Sequence, residues 1–110
     1  MLVVATLFAL IVHEAGHALA IILTRAGKLQ GVVFHLKGIG VKWEPYSHDP
    51  FKRSVVSLSG PAVNLGLAAL FVIAGFEILA FANLVFGAVN LLPLPGSDGA
   101  RAYVSIREAV

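Results

Sequence analysis

The sequence predicts an all-α membrane protein of three transmembrane helices, with a small β-hairpin insert between the first and the second. Three observations lead there. Of 110 residues, 58% are hydrophobic and only 13% are charged, about half the charge of an ordinary soluble domain. The mean hydropathy is +0.89. The charges are also segregated: Glu77 is the only one from Ser54 to Ser97, and Glu14 the only one from Met1 to Thr24. A chain this short cannot hide so much apolar surface from water, because small domains bury only about 60–70% of what the unfolded chain exposes.

The first span, about residues 1–24, would reach about 36 Å as a helix, enough to cross a bilayer core of about 30 Å. It has no basic leading region and is too long an apolar run for a signal peptide. Arg25 and Lys28 end it, with Gly27 expected as the helix stop. The second apolar stretch, Ser54 to Leu92, would make a helix of about 58 Å and must fold back. Gly75-Phe76-Glu77 is the expected turn, leaving spans at about 54–74 and 78–92, the latter closed by Pro93 and Pro95. Residues 93–110 are expected as a Pro-broken segment and tail.

Between the first two spans, residues 25–53 hold six basic side chains (Arg25, Lys28, Lys37, Lys42, Lys52, Arg53) against Glu44 and Asp49. The tail carries Arg101 and Arg107, and the 75–77 turn has no basic residue. Both basic segments lie on one side of a three-span chain, which makes that side cytoplasmic. Within this insert, Val33-Phe34-His35-Leu36-Lys37 and Val41-Lys42-Trp43-Glu44 alternate apolar and polar residues. The alternation predicts a β-hairpin turning at Gly38-Ile39-Gly40. Trp43 and Tyr46 suit the membrane–water interface. Without cysteine, disulfides, thiolate metal sites and thiol nucleophiles are excluded. The net charge of +2 comes with no aromatic-studded basic patch, so no nucleic-acid partner is expected.

Chemistry concentrates in His13-Glu14-Ala15-Gly16-His17. Histidines four apart on a helix can both reach one metal ion, and the glutamate between them suits a general base that is not a ligand. Ionisable side chains inside a bilayer span are costly, roughly 2.5 kcal/mol or more for a mid-membrane carboxylate, and mark function by default. His17 precedes Arg25 by eight residues, which sets the metal about 12 Å below the cytoplasmic surface. A catalytic zinc takes three protein ligands and leaves one position open. His35 and His48 belong to the polar insert and Glu77 to the opposite membrane face. Asp98, after the break at Pro93-Leu94-Pro95-Gly96, is the expected third ligand, because unwound backbone there can turn its side chain inward.

Three ordered motifs resemble the site-2 protease family of intramembrane zinc metalloproteases. They are His13-Glu14-Ala15-Gly16-His17, then Ser57-Leu58-Ser59-Gly60-Pro61-Ala62-Val63-Asn64 (the family's SxxGPxxN), then Asn90-Leu91-Leu92-Pro93 through Asp98-Gly99 (its NxxPxxxxDG). The resemblance covers nearly the whole chain. It implies Asp98 as a zinc ligand, Asn64 as a group that holds substrate backbone, and the hairpin at Gly38 and Gly40 as the strand-pairing site for an extended substrate. Pro61 and Asn90 are supporting residues, Asn90 orienting the broken segment or Asp98, and Arg101 matches a basic residue often found after the family's Asp-Gly. Ser97 and Ala100 depart from the family's apolar residue and second glycine. Extra helices and appended domains common in the family are absent from these 110 residues, so a partner subunit or homo-oligomer is expected.

Together these readings predict a multi-pass protein of the plasma membrane, with the hairpin segment and C-terminus cytoplasmic. Its expected activity is zinc-dependent hydrolysis of peptide bonds in or near unwound transmembrane segments of membrane-protein substrates. One Zn2+ per chain is held by His13, His17 and Asp98, with Glu14 as catalytic base. A non-catalytic metal-binding membrane protein is the alternative. A structural subunit with an accidental HExxH would bind no stoichiometric metal.

Overall fold

The computed structural model of the chain describes residues 1–35, 38–46, 49–94 and 97–109. The order of elements is α1 (Leu2–Thr24), β1 (Gly27–His35), β2 (Gly38–Pro45), α2 (Pro50–Ala74), α3 (Glu77–Leu91) and α4 (Asp98–Ala109). The expected helical architecture with a hairpin between the first two helices is present. Leu36, Lys37, His48, Pro95 and Gly96 lie outside the described residues.

α1 and α2 are long and apolar enough to cross a membrane. α3, with 15 residues, reaches about 22 Å, short of a bilayer core of about 30 Å. The outer surfaces of these helices are what lipid requires. Val3, Val4, Ile11 and Leu23 on α1, and Val72 and Ile73 on α2, are each more than half exposed. In water each would forfeit about 1.5–3 kcal/mol of burial, whereas hydrocarbon tails solvate them. The inside is built from small residues: Ala5, Ala9, Ala20, Ala68, Ala80 and Ala82 are buried. Small side chains let membrane helices approach closely, since packing and interhelical hydrogen bonds replace the hydrophobic drive there. α2 is the hub, packing on α1, α3 and α4.

The boundaries correct several expectations. α1 ends on Arg25 rather than at Gly27. Arg25 takes a left-handed conformation (φ 56°), and the amides of Arg25 and Ala26 close back on the carbonyls of Ile22 and Ile21. α2 begins at Pro50, four residues before the apolar run. The Asp49 carboxylate accepts from the Lys52 amide (3.2 Å), and Pro50 occupies the first helical position. Hydropathy cannot see a polar first turn that capping supports. Gly75 turns the chain as expected, at φ 86°, with Phe76 N donating to Phe71 O (2.8 Å).

In the hairpin, Gly38, Ile39 and Gly40 belong to β2 and pair with His35, Phe34 and Val33, so they are strand residues rather than the expected turn. The register shifts between Leu29 and Gly31, leaving Gln30 unpaired. Val41 and Trp43 pack onto Ala20, Ile21, Ala26 and Val56, which fastens the hairpin to the ends of α1 and α2. The tail after the proline break is largely helical. Ser97 Oγ accepts from the Ala100 amide (3.2 Å) and donates to Leu92 O (2.6 Å), so one hydroxyl both caps α4 and ties it to the end of α3. A side chain at Gly99 would run into the Leu91 carbonyl, which explains why glycine follows Asp98 where α4 starts against α3.

Candidate metal centre

The i, i+4 spacing on α1 places the His13 and His17 rings 4.7 Å apart, edge to face, and both are buried. Asp98, the first residue of α4, reaches them from the other side of the cavity. Its Oδ2 lies 2.7 Å from His13 Nε2 and 3.2 Å from His17 Nε2, and the two Nε2 atoms are 3.1 Å apart. A tetrahedral ion with bonds of 2.0–2.1 Å spaces its ligand atoms about 3.3 Å apart. The three atoms are therefore nearly in place for one small cation.

The remaining ring nitrogens decide what these atoms offer. His17 Nδ1 lies 2.7 Å from the carbonyl of Val56. A carbonyl only accepts, so His17 Nδ1 carries a hydrogen. His13 Nδ1 faces Asn64 Oδ1 at 2.7 Å. The Asn64 amide nitrogen must point the other way, because it donates to the Ala9 carbonyl (3.0 Å). His13 Nδ1 is therefore also the protonated nitrogen. In the neutral rings both Nε2 atoms then hold lone pairs. The Asp98 carboxylate oxygen Oδ2, an acceptor as well, faces both of them. Three acceptors thus converge, and a proton or a cation must sit among them. This donor set, two imidazole nitrogens and a carboxylate, suits zinc.

Both histidines are oriented by α2, through the Val56 carbonyl and the Asn64 side chain. Gly60 makes that approach possible: a Cβ there would come within 2.5 Å of His17 Nε2. Phe86 of α3 closes the far side of the His13 ring, centroids 5.0 Å apart.

A cavity of about 1380 Å³ opens on the cluster from beneath the hairpin, between α2 and α4. Glu14 lines it together with His13, His17 and Asp98. No hydrogen bond ties the Glu14 carboxylate among the described residues. Gly40 and Trp43 of β2 form part of the same wall, and Arg101 stands at it with Nη1 3.6 Å from Asp98 Oδ1. Asn90 also lines the cavity, but its amide donates to the Phe86 carbonyl of its own helix (2.8 Å) rather than to Asp98. Asn64 is fully buried, with its oxygen and both amide hydrogens already used. Pro61 is buried inside α2, where its missing amide leaves the Ser57 carbonyl without a helical donor. Glu77 sits exposed at the start of α3, away from the cluster, and Gly38 pairs with His35 at the hairpin tip.

Two contributors have no motif. The Val56 carbonyl is backbone and leaves no sequence signal. Asn83 donates to Leu79 O (2.9 Å) and accepts from Asn64 (2.9 Å). A carboxamide in an apolar helix was the available clue to it.

No family model matches the chain. In fold it is similar to the site-2 protease from Methanocaldococcus jannaschii, with a TM-score of 0.79 over 96% of this chain and 53% of that chain, at 18% identity. In sequence it is 40% identical over 83 aligned residues to "Putative zinc metalloprotease Rip2" of Mycobacterium tuberculosis, covering 58% of this chain and 32% of that protein. It is 31% identical over 113 aligned residues to "Putative zinc metalloprotease sll0528" of Synechocystis, covering 91% of this chain and 30% of that protein. The chain thus has the fold of a site-2 protease and is similar in sequence to proteins named as putative zinc metalloproteases. It spans about a third of the length of these curated relatives. In this chain the second motif packs against the first, Gly60 on His17 and Asn64 on His13. Gly60→Ala is therefore expected to displace the His17 ring and weaken metal binding at least about tenfold. Helical content, read by circular dichroism in detergent, should stay as in the unsubstituted chain.

Proposed function

We propose that this chain is the catalytic core of a zinc-dependent intramembrane endopeptidase. The observation that carries the reading is the convergence of three lone-pair donors, His13 Nε2, His17 Nε2 and Asp98 Oδ2, beside a fourth ionisable group, Glu14, that shares the cavity without joining the cluster. His13, His17 and Asp98 would hold one Zn2+. When bound, zinc supplies Lewis acidity that makes a water nucleophilic near neutral pH and polarises a carbonyl. Glu14 takes the proton of the attacking water on its carboxylate and passes it to the leaving amine. The Asn64 amide and the Val56 carbonyl keep the two imidazoles turned to the centre. In this reading Asn64 acts through His13, and the hairpin strand at Gly38 and Gly40 aligns an extended substrate along the cavity wall.

The substrate is a peptide bond in or near a transmembrane segment of another membrane protein. A helical peptide bond is shielded by its own hydrogen bonds, so the segment unwinds before cleavage. The basic residues of the hairpin and of α4 put that side of the molecule in the cytoplasm of a plasma-membrane protein. α3 completes a third crossing together with the proline-broken segment after it. Segments beyond this third of its relatives' length, a partner subunit or a second copy cover the exposed helix faces.

The test is cleavage of a membrane-embedded reporter by the purified chain in proteoliposomes. Cleavage is expected to stop on chelation and to return with stoichiometric zinc. A chain that stays active through exhaustive chelation contradicts the proposal.

A further inference from the structure

Two asparagines, Asn64 on α2 and Asn83 on α3, are 0% exposed in the helix bundle. They form a directed chain of hydrogen bonds that starts on a backbone group. The Leu79 carbonyl can only accept, so the Asn83 amide nitrogen faces it (2.9 Å) and Asn83 Oδ1 faces Asn64. Asn64 must then offer its amide nitrogen to Asn83 (2.9 Å) as well as to the Ala9 carbonyl (3.0 Å). Its oxygen is left for His13 Nδ1 (2.7 Å). Each choice of donor and acceptor is forced by the one before it.

We propose that Asn83 is a positioning residue for the metal centre: it fixes the Asn64 carboxamide, and through it the hydrogen on His13 Nδ1, so that His13 Nε2 keeps its lone pair for the metal. The inference rests on the zinc reading above. With Asn64 reversed, its NH₂ would face His13 Nδ1 and its oxygen would face the Ala9 carbonyl. The ring would have to move its hydrogen to Nε2, which removes a ligand. Asn83 adds a second acceptor against that reversal, from a helix that supplies no ligand. The metal centre is thereby linked to the packing of α3, and the carboxamide of Asn64 has one orientation rather than two.

The experiment compares the full chain with Asn83→Leu and Asn83→Asp in detergent. Zinc affinity is measured by chelator competition, and His13 by 15N NMR of the histidine-labelled, zinc-loaded protein. The unsubstituted chain is expected to bind one zinc and to show a protonated Nδ1 and a coordinated Nε2. Asn83→Leu removes the acceptor and is expected to bind zinc about tenfold more weakly, the lower end of what losing an outer partner of a metal ligand costs. Its Nδ1–H signal should broaden or disappear. Asn83→Asp keeps an oxygen toward Asn64 and is expected to stay within about threefold of the unsubstituted chain. A folded Asn83→Leu with unchanged zinc affinity and an intact Nδ1–H signal overturns the inference, whatever its thermal stability. If Asn83→Leu does not fold, a tenfold loss in folded Asn83→Asp overturns it instead. An unsubstituted chain that binds no zinc removes the metal reading and this inference with it, an outcome distinct from failure of the variants alone.

Discussion

Glu14→Gln is expected to lower cleavage of a membrane-embedded reporter on the order of 10³-fold while one zinc per chain stays bound. The substitution keeps the size of the side chain and its place on the cavity wall. It removes only the ability to take up a proton, and general acid–base groups contribute about 10²–10⁴-fold. Zinc retention follows from the geometry: the three converging atoms come from His13, His17 and Asp98, and Glu14 is not among them. A metal carrier or a protease-like binder would behave differently, because a carboxylate outside the ligand set would be dispensable to it. Proteolysis that survives Glu14→Gln refutes the assignment of the base. Loss of zinc along with activity would instead make Glu14 a ligand.

The second large effect is on the metal itself. Asp98→Ala is expected to weaken zinc binding by more than about 100-fold, beyond the loss seen when only a partner of a ligand is removed. Cleavage should vanish with it. Asp98 is buried, and its Oδ2 closes the cluster from α4. Without it two imidazole nitrogens remain on one helix, a site with too few protein ligands for catalytic zinc. Chelator competition reads the affinity directly. Wild-type affinity in Asp98→Ala would require a different third ligand, and among the described residues no other His, Cys, Asp or Glu joins the cluster.

The parts of this molecule that show in its sequence are those where chemistry conflicts with the bilayer. His13, Glu14 and His17 stand out because an apolar helix should not contain them. Asp98 stands out because a proline break precedes it. The hairpin shows through period-two alternation, and the α2–α3 turn through Gly75 beside the one charge in the run. Boundaries set by hydrogen bonds rather than hydropathy were hidden. The Asp49 cap moves the start of α2 into a basic stretch, and Ser97 starts a helix in what reads as a polar tail. Arg25 closes α1 in a conformation that the sequence would assign to the nearby glycine. The outer layer of the site was the least visible. The Val56 carbonyl has no residue identity to read, and Asn83 matters only because two helices bring it against Asn64. Tertiary contact gives those groups their roles, and no periodicity encodes it.

X-ray absorption at the zinc edge, on the chain purified without chelators, tests the metal assignment most directly. Two imidazole nitrogens, one carboxylate oxygen and a water in the open position should give about four nitrogen or oxygen neighbours at about 2.0–2.1 Å, with the outer-shell scattering of two histidine rings. The same spectrum from Asp98→Ala should lose its carboxylate contribution or the metal altogether. A metal-free preparation, or zinc in an all-oxygen shell without imidazole scattering, would contradict a centre built from His13, His17 and Asp98.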